Sequence, residues 1–295
     1  MPQPWQKFLS NEQLASLSGL SIHSKRRPGG TREGTHASRQ IGHAMEFAQH
    51  REYTPGDDLR YVDWKIFGRS DRYYVRQSEI ERALPTYLML DHSCSMTFAA
   101  EDAKHSKLDF AIQLALSITY LATTQQDAIA LYLVSNGLTG VNPLGSGARQ
   151  LDRFAVACTD IDTSAETNIY HSISESVGRI EAPGLVVLIS DLLDDEEQIG
   201  QALNLLRDAG HDVILLHVMD RQEREFQFTS ETRFIDLEEL GQVDVNAAGL
   251  SRSYREQIEA FISRQQNAAF RLGFRYSTAI TDLPLREALL PDFCP

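Results

Sequence analysis

Residues 86–96 read TYLMLDHSCSM, a short apolar run that ends in an aspartate and is followed by alternating serines. Residues 185–191, LVVLISD, form a second apolar run that also ends in an aspartate. Apolar runs this short and continuous, separated by amphipathic segments, are typical of a parallel sheet that is covered on both faces. The two runs therefore predict buried strands, over 86–91 and 185–190, in an open α/β sheet.

The chain from Thr86 onward alternates such runs with helical segments. Apolar side chains recur at helical spacing in the segment after residue 106, and Gly210 is a usual residue at the end of a helix. Further strands are predicted over 128–134, 213–218 and 274–278, and helices over 107–123, 148–157, 169–180, 196–209, 251–272 and 285–290. The predicted fold class is α/β, with a doubly wound and mostly parallel sheet over residues 85–295.

Residues 1–84 follow a different pattern, without this alternation. Residues 1–82 hold 13 lysines and arginines against 10 acidic residues, although the whole chain has a net charge of −13. Segment 24–34 is basic and rich in glycine, which favours a loop. We predict a smaller N-terminal extension over 1–84 that is basic, largely non-helical, rich in loops and strands, and a unit of its own.

The composition excludes several classes of protein. Of the 295 residues, 42% are hydrophobic and 23% are charged, as in ordinary globular domains, and the acidic net charge disfavours binding to nucleic acid. Cys94, Cys158 and Cys294 are too few and too far apart for a disulfide framework or a zinc knuckle. The longest apolar stretch, over 110–122, falls short of the roughly 20 residues that a membrane span needs. We therefore expect a cytoplasmic protein with no membrane span and no nucleic-acid partner.

Oxygen-bearing side chains follow both apolar runs. Asp91, Ser93 and Ser95 alternate, so their oxygens can converge in a tight loop, and Asp191 follows the second run. In open α/β sheets, ligands bind beyond the carboxyl ends of the strands. Thr167, just before a predicted helix, can supply a third hydroxyl. Two carboxylates with two or three hydroxyls form an all-oxygen site of the kind that Mg²⁺ prefers.

Alternatives remain open for these residues. Thr167 has a sufficient structural role as the N-cap of the helix that follows it, and Thr163, Ser164 and Asn168 compete with it as ligands. The side chains of 91–95 could instead cap a following helix, but the position of Asp91 and Asp191 directly after two apolar runs favours the metal site.

Two further polar segments have structural explanations. Residues 194–197, DDEE, are expected to favour the positive end of the helix that follows them. Pro55-Gly56 suits the central positions of a type II turn, with Asp57, Asp58 and Arg60 in local hydrogen bonds and ion pairs.

The chain resembles two related groups of proteins. The set Asp91-x-Ser93-x-Ser95, Thr167 and Asp191 is similar to the metal-ion-dependent adhesion site of von Willebrand factor A domains. A second set of residues resembles the bacterial family called domain of unknown function fifty-eight. It comprises Glu46-Phe47, Arg51-Glu52-Tyr53, Pro55-Gly56-Asp57-Asp58, Arg60, Asp63-Trp64-Lys65, Leu90–Met96, Ile189–Asp191 and Gly210–Asp212.

This resemblance implies a von Willebrand factor A-like domain that follows a family-specific N-terminal region. It implies Asp91, Ser93, Ser95, Thr167 and Asp191 as ligands, direct or through water, of Mg²⁺, for which Mn²⁺ is a possible substitute. It also implies a non-enzymatic interaction module that acts as adaptor or co-chaperone of a MoxR-type AAA+ ATPase, with the ATPase or a client protein supplying a glutamate or aspartate to the metal. Many longer relatives carry N-terminal membrane helices. Because no stretch of this sequence is long and apolar enough to be such a helix, we do not expect the membrane location of those relatives here.

Three other functions compete with this one. A Mg²⁺-dependent hydrolase, such as a phosphatase, can be built at the same strand ends. Against it, serines rather than a second carboxylate follow Asp91, no G-x-S-x-G motif is present, and we expect no lysine near either strand end to steady a phosphoryl group. A His92–Cys94 thiol enzyme is disfavoured because alternate residues in a turn seldom align for proton transfer. The other alternative is a structural scaffold with a vestigial metal site.

Overall fold

The computed structural model describes residues 3–24, 46–54, 62–70, 72–79, 85–101, 103–163, 166–225, 232–235, 242–245 and 247–294. The chain divides into two compact units. One, called here the sheet unit, comprises Met1–Arg26 and Leu84–Pro295, and the other, the small unit, comprises Arg27–Ala83.

The strands of the described residues form three sheets. In chain order they are β1 (Glu46–Glu52), β2 (Tyr74–Glu79), β3 (Thr86–Asp91), β4 (Ile129–Val134), β5 (Leu138–Gly145), β6 (Leu185–Ser190), β7 (Asp212–Met219), β8 (Thr232–Ile235), β9 (Gln242–Val245) and β10 (Arg275–Ile280). The main sheet has six strands in the order β10-β7-β6-β3-β4-β5. All neighbours in it are parallel except β4 and β5, and β1–β2 and β8–β9 are separate antiparallel pairs.

The described residues include the six predicted helices and three short ones that the sequence does not predict. They are α1 (Asn11–Ser16), α2 (Trp64–Ser70), α3 (Lys107–Thr124), α4 (Arg149–Ala157), α5 (Ile169–Val177), α6 (Glu196–Asp208), α7 (Arg221–Glu225), α8 (Ala247–Arg271) and α9 (Leu285–Phe293). The three short helices that were not predicted are α1, α2 and α7. The predicted α/β class with a mostly parallel sheet is confirmed, and β3 and β6 have the predicted bounds. In the part of the chain that the structure describes, no helix is long and apolar enough to cross a membrane.

Both faces of the main sheet are covered, which explains the continuous apolar runs. Along β3, Leu88 and Leu90 belong to one apolar cluster with residues of α3, α4 and α9. Tyr87 and Met89 point to the other face and belong to a second cluster with residues of α5, α6 and α8. Successive side chains of a strand alternate between faces, so a strand buried on both sides is apolar at every position.

The edge strand β5 was not predicted from the sequence. Its residues 138–145, LTGVNPLG, include Gly140, Asn142 and Pro143, which are uncommon in strands. Proline is tolerated in a sheet at an edge, and β5 pairs only with β4, antiparallel, at the end of the sheet. Pairing with β4 therefore outweighs the local preference of this segment.

The first residues of the chain pack on the main sheet. Leu9, Leu14 and Leu17 are buried in the cluster that contains α3 and α9. Arg286 of α9 donates hydrogen bonds to the carbonyl oxygens of Ser16 and Ser18, at 2.7 and 2.6 Å. Residues 1–26, which we grouped with the N-terminal extension, therefore belong to the sheet unit, whereas 27–83 form the small unit.

The small unit contains the pair β1–β2 and the helix α2. Asp63 accepts hydrogen bonds from the backbone amides of Lys65 and Ile66, at 2.9 and 3.3 Å, so it caps the N-terminus of α2. Phe67 stacks on Tyr73 with ring centroids 4.5 Å apart. The Asp63-Trp64-Lys65 block thus has a structural role, while the predicted turn at Pro55-Gly56, with Asp57, Asp58 and Arg60, lies outside the described residues.

Candidate functional site

Asp91 is held at the carboxyl end of β3 by hydrogen bonds from two directions. Its Oδ1 accepts from the amide of Ser93 at 2.9 Å, and its Oδ2 accepts from Ser190 Oγ, at the end of β6, at 2.6 Å. The carboxyl group is buried. Because β3 and β6 are parallel neighbours, their last residues meet at one edge of the sheet, as the sequence predicts.

Ser93 and Ser95 lie in the loop that follows β3. Residues Cys94–Thr97 form a 3₁₀ turn, which brings Ser93 Oγ and Ser95 Oγ to 3.2 Å from each other. Ser93 is fully buried, and its amide is bound to Asp91. The loop therefore brings two hydroxyls together directly after Asp91.

Asp191, directly after β6, is also buried, and its nearest partner is a lysine. Lys107 Nζ donates to Asp191 Oδ2 at 2.8 Å and to Glu223 Oε1 at 2.8 Å. The expectation that no lysine lies near the strand ends is wrong. The Lys107 side chain is only 1% exposed and is held by both carboxylates, so it is not presented to a phosphoryl substrate.

The position of Lys107 follows from the start of α3. Ser106 is the N-cap of this helix and forms a capping box with Asp109. Lys107 is the first helical residue, while most of the helix after it is buried and apolar. The sequence signal for this lysine was a lone cation at the start of an otherwise apolar helix. Its partners were not evident, since Asp191 and Glu223 lie 84 and 116 residues away in the chain.

The two aspartates interact electrostatically. Burial, together with the nearby negative charge of Asp191, raises the pKa of Asp91 from its usual 3.8 to about 6. Hydrogen bonds from Ser190 and Ser93 act in the opposite direction and are outweighed. The Asp91 carboxylate is therefore charged at neutral pH against an electrostatic cost that a nearby cation relieves.

Thr167 lies in a loop attached to the same edge of the sheet. The amide of the next residue, Asn168, donates to the carbonyl of Ser135 at the end of β4, at 2.9 Å. Asn168 is the N-cap of α5, and its Oδ1 accepts from the amide of His171 at 3.0 Å. The alternative role of Thr167 as the N-cap is therefore wrong. Thr167 Oγ1 is buried and has no hydrogen-bond partner among the described residues.

Three residues compete with Thr167 as the ligand from this loop: Thr163, Ser164 and Asn168. Asn168 is engaged as the helix cap, and Ser164 lies outside the residues that the structure describes. Thr163 stays an alternative. Thr167 is distinguished from it by a buried hydroxyl oxygen without a hydrogen-bond partner among the described residues, a property that it shares with Thr86 and Ser135.

The acidic run 194–197 organises the loop beyond Asp191. Asp195 is the N-cap of α6, which confirms the predicted interaction with the start of this helix. Asp194 Oδ2 accepts from the amide of Ile169 at 2.7 Å, so this loop is tied to the first residue of α5. Between Asp191 and Asp194, Leu192 adopts a left-handed backbone with φ of 54°. Such a backbone conformation is uncommon for a non-glycine residue.

His92 does not act as a base in this loop. Its Nδ1 lies 2.7 Å from the carbonyl oxygen of Asp162, and its Nε2 lies 2.6 Å from Thr139 Oγ1. Burial lowers the pKa of His92. Both ring nitrogens of the imidazole therefore have partners other than Cys94.

A separate cavity of about 360 Å³ opens beyond the ends of β7 and β10. Its lining includes Lys104, Asp220 and Thr281, and Thr281 Oγ1 donates to Asp220 Oδ2 at 3.2 Å. None of the five predicted metal residues lines it. The cavity and the predicted metal residues are thus distinct features of this edge.

The residue types at the site fit a hard divalent cation. The five predicted residues offer only oxygen atoms, two of the side chains being carboxylates and three hydroxyls. Among the described residues there is no group of three or more histidines, cysteines and carboxylates that could hold a metal ion.

Comparison with known proteins identifies the family. The model of the family described as protein of unknown function DUF58 matches residues 49–268. The chain belongs to the DUF58 family. An uncharacterized protein of Mycobacterium bovis is 26% identical to this DUF58 protein over 233 residues, which are 76% of this chain and 70% of the relative.

Two solved structures are similar to this DUF58 protein at low identity. The conserved hypothetical protein BatB from Bacteroides thetaiotaomicron is 15% identical, with a TM-score of 0.47 over 71% of this chain and 97% of BatB. The SpRpn10 VWA domain is 9% identical, with a TM-score of 0.43 over 71% of this chain and 95% of that domain.

Proposed function

We propose that this DUF58 protein is a non-enzymatic interaction module that binds its partner through Mg²⁺. The observation that carries the proposal is the buried Thr167 oxygen without a hydrogen-bond partner, in a loop attached to the sheet edge where Asp91 and Asp191 lie. A second observation is the electrostatic conflict between these two aspartates, expressed in the raised pKa of Asp91. A divalent cation satisfies the oxygen and offsets the conflict.

Each predicted residue has a distinct role in this proposal. The hydroxyls of Ser93 and Ser95 hold the cation directly, and Thr167 adds a third hydroxyl from the opposite loop. Asp91 and Asp191 orient the coordinated waters and balance the charge. The bound cation supplies an open coordination position for a glutamate or aspartate of the partner.

The identity of the partner is the finer part of the proposal. The family resemblance supports a MoxR-type AAA+ ATPase, or a client protein of it, as the source of the carboxylate. In this arrangement the chain acts as an adaptor or co-chaperone in the cytoplasm. The hydrolase alternative gains no support, since Lys107 is enclosed between two carboxylates rather than available to a substrate.

Metal binding is tested by unfolding the purified protein with Mg²⁺, with Mn²⁺ and with EDTA. A ligand that binds only the folded state stabilises it by about 2.7 kcal/mol at a hundredfold excess over Kd. Asp191→Ala is a poor site variant because it removes a partner of the buried Lys107. Ser95→Ala is better, since the contact of this hydroxyl is a 3.2 Å hydrogen bond with Ser93.

The matched control is Thr97→Ala, which removes a hydroxyl from the same 3₁₀ turn. Thr97 Oγ1 donates to the Cys94 carbonyl at 2.7 Å, so this variant loses some stability with and without metal alike. We expect Mg²⁺ to stabilise the wild type and Thr97→Ala equally, and Ser95→Ala less. An equal response to Mg²⁺ in all three proteins would exclude the site.

Partner binding is tested with a purified MoxR-type ATPase and the wild-type chain, with Mg²⁺ or EDTA. We expect a complex that EDTA dissociates and that Ser95→Ala weakens. Binding that is insensitive to EDTA would favour the scaffold with a vestigial site. Absence of binding under every condition would exclude this class of partner while leaving the metal site intact.

A further inference from the structure

Lys107 is an unusual residue at this edge of the sheet. Lysine is almost never fully buried unless it is paired, and this side chain is 1% exposed. Its ammonium lies 2.8 Å from a carboxylate oxygen of Asp191 and 2.8 Å from one of Glu223, and 5.7 Å from the centre of the Phe98 ring. These contacts fix the ammonium directly against one of the predicted metal residues.

The carboxylates around this lysine outnumber it. Asp191 and Glu223 contact Lys107, and the charge of Asp191 also acts on Asp91. With all four groups ionised, two carboxylates contact the ammonium and a third, Asp91, is coupled to one of them, so the four groups together carry two net negative charges. Excess buried charge of this kind is costly, and a divalent cation neutralises it.

Glu223 is anchored independently of the lysine. Its second oxygen, Oε2, accepts a hydrogen bond from the amide of Asp220 at 3.0 Å, just before α7. Its side chain is 21% exposed, so Glu223 is the more accessible carboxylate of the two that hold Lys107. The ammonium is thus shared between a carboxylate on α7 and a carboxylate of the predicted metal site.

We propose that Lys107 is the resident counter-ion of the metal site, a positioning residue that holds Asp191 and sets the affinity for the divalent cation through its charge. The inference rests on the proposed metal-binding function. In the metal-free protein Lys107 neutralises Asp191 and allows its burial. When a divalent cation is bound, the ammonium and the cation share the same carboxylate, so the ammonium lowers the affinity for the metal.

Glu223 has the opposite influence. It draws part of the hydrogen bonding of Lys107 away from Asp191 and adds one negative charge to the group. Removal of the Lys107 charge therefore strengthens metal binding, and removal of the Glu223 charge weakens it. If Lys107 had a purely structural role, loss of the Lys107 charge and loss of the Glu223 charge would break the same ion pair. Both would then change metal affinity in the same direction.

The test uses Mn²⁺ binding by the full chain, with free Mn²⁺ measured by electron paramagnetic resonance after removal of metal with EDTA. The variants are Lys107→Met, which keeps the length of the side chain, and Glu223→Gln, which keeps its shape. Lys104→Met is the matched control. Lys104 lies three residues before Lys107 and is exposed, and its replacement removes the same charge. Unfolding in EDTA is measured in parallel to give the stability of each metal-free protein.

We expect Lys107→Met to bind Mn²⁺ about tenfold more tightly and Glu223→Gln about threefold more weakly than the wild type, as the loss of one nearby charge of each sign implies. Lys104→Met is expected to match the wild type. Lys107→Met is also expected to be less stable in EDTA and to regain stability with Mn²⁺. If Lys107→Met does not fold, the test rests on Glu223→Gln: the inference requires that this variant bind Mn²⁺ more weakly than Lys104→Met does.

Two results overturn the inference in different ways. If the wild type binds Mn²⁺ and both Lys107→Met and Glu223→Gln bind it equally well, the counter-ion role is excluded and the metal site stands. If neither the wild type nor any variant binds Mn²⁺, the proposed metal function and the inference fail together.

Discussion

Ser190 Oγ donates a 2.6 Å hydrogen bond to Asp91 Oδ2 across the carboxyl ends of two neighbouring parallel strands. The same hydroxyl oxygen accepts from the amide of Leu192 at 3.0 Å. One serine therefore joins the end of β3 to the loop after β6. This link holds Asp91 in a buried position, where ionisation of its carboxyl is opposed by desolvation and by the charge of Asp191.

The first prediction concerns the pH dependence of stability without metal. The pKa of Asp91 is raised from 3.8 to about 6 in the folded protein, so the folded state binds more protons than the unfolded state between these values. Stability attributable to Asp91 is therefore present at low pH and is lost as pH rises towards 6. Relative to Asp91→Asn, the wild type should lose about 3 kcal/mol over this range.

The measurement is urea unfolding of both proteins in EDTA at several pH values between 4 and 7. The difference between the two proteins isolates Asp91 from the other groups that titrate in this range. Parallel curves for the wild type and Asp91→Asn would show that the carboxyl titrates as in the unfolded chain and that its environment is not as described.

The second prediction concerns the pH dependence of metal binding. A cation near Asp91 favours the ionised carboxyl, and a proton on that carboxyl competes with the cation. Since the pKa of Asp91 is raised to about 6, Mg²⁺ affinity should be constant above this pH and fall about tenfold for each pH unit below it. Calorimetric titration with Mg²⁺ at several pH values measures this, and an affinity unchanged between pH 7 and 5 would contradict it.

The parts of the fold that sequence predicts well are those where local pattern and burial agree. The strands Thr86–Asp91 and Leu185–Ser190 are buried at every residue, so an unbroken apolar run was sufficient to place them. The strand Leu138–Gly145 alternates between half-buried and exposed residues and includes Pro143. Its assignment depends on pairing with β4, which the local sequence does not encode.

In the candidate site, the positions of the strand-end residues were predictable, whereas the contacts between distant parts of the chain were not. Residues directly after buried strands, such as Asp91 and Asp191, were found because parallel strand ends meet at one edge. The ion pair of Lys107 with Asp191 joins residues 84 apart, and no periodicity or motif reports such a contact. The choice between Thr167 and Asn168 as helix cap depended on a shift of one residue, which lies within the uncertainty of any predicted helix boundary.

The third prediction separates the roles of Thr167 and Asn168. Thr167→Ala removes a hydroxyl without a hydrogen-bond partner in the described structure, so stability in EDTA should change by less than about 0.5 kcal/mol. Asn168→Ala removes the cap of α5 and should cost about 1 kcal/mol. The gain in stability on addition of Mg²⁺ should decrease in Thr167→Ala and persist in Asn168→Ala.

Chemical unfolding of both variants, with Mg²⁺ and with EDTA, measures the two effects. Thr163→Ala serves as the control for the competing hydroxyl in the same loop. A normal response to Mg²⁺ in Thr167→Ala, with a diminished one in Thr163→Ala, would assign the third hydroxyl to Thr163 instead.

The fourth prediction concerns the contribution of the first residues to the sheet unit. Leu17 is fully buried in the cluster that contains α3 and α9, so Leu17→Ala should lower the free energy of unfolding by about 2–5 kcal/mol. Leu290→Ala, at a position 41% exposed on α9, is the control and should change it by less than about 1 kcal/mol.

Urea unfolding followed by circular dichroism compares the two variants. Equal effects would mean that the segment before residue 27 contributes no more to the core than an exposed helix face does. A large effect confined to Leu17→Ala would show that a shortened chain intended to contain the main sheet must keep the segment before residue 27.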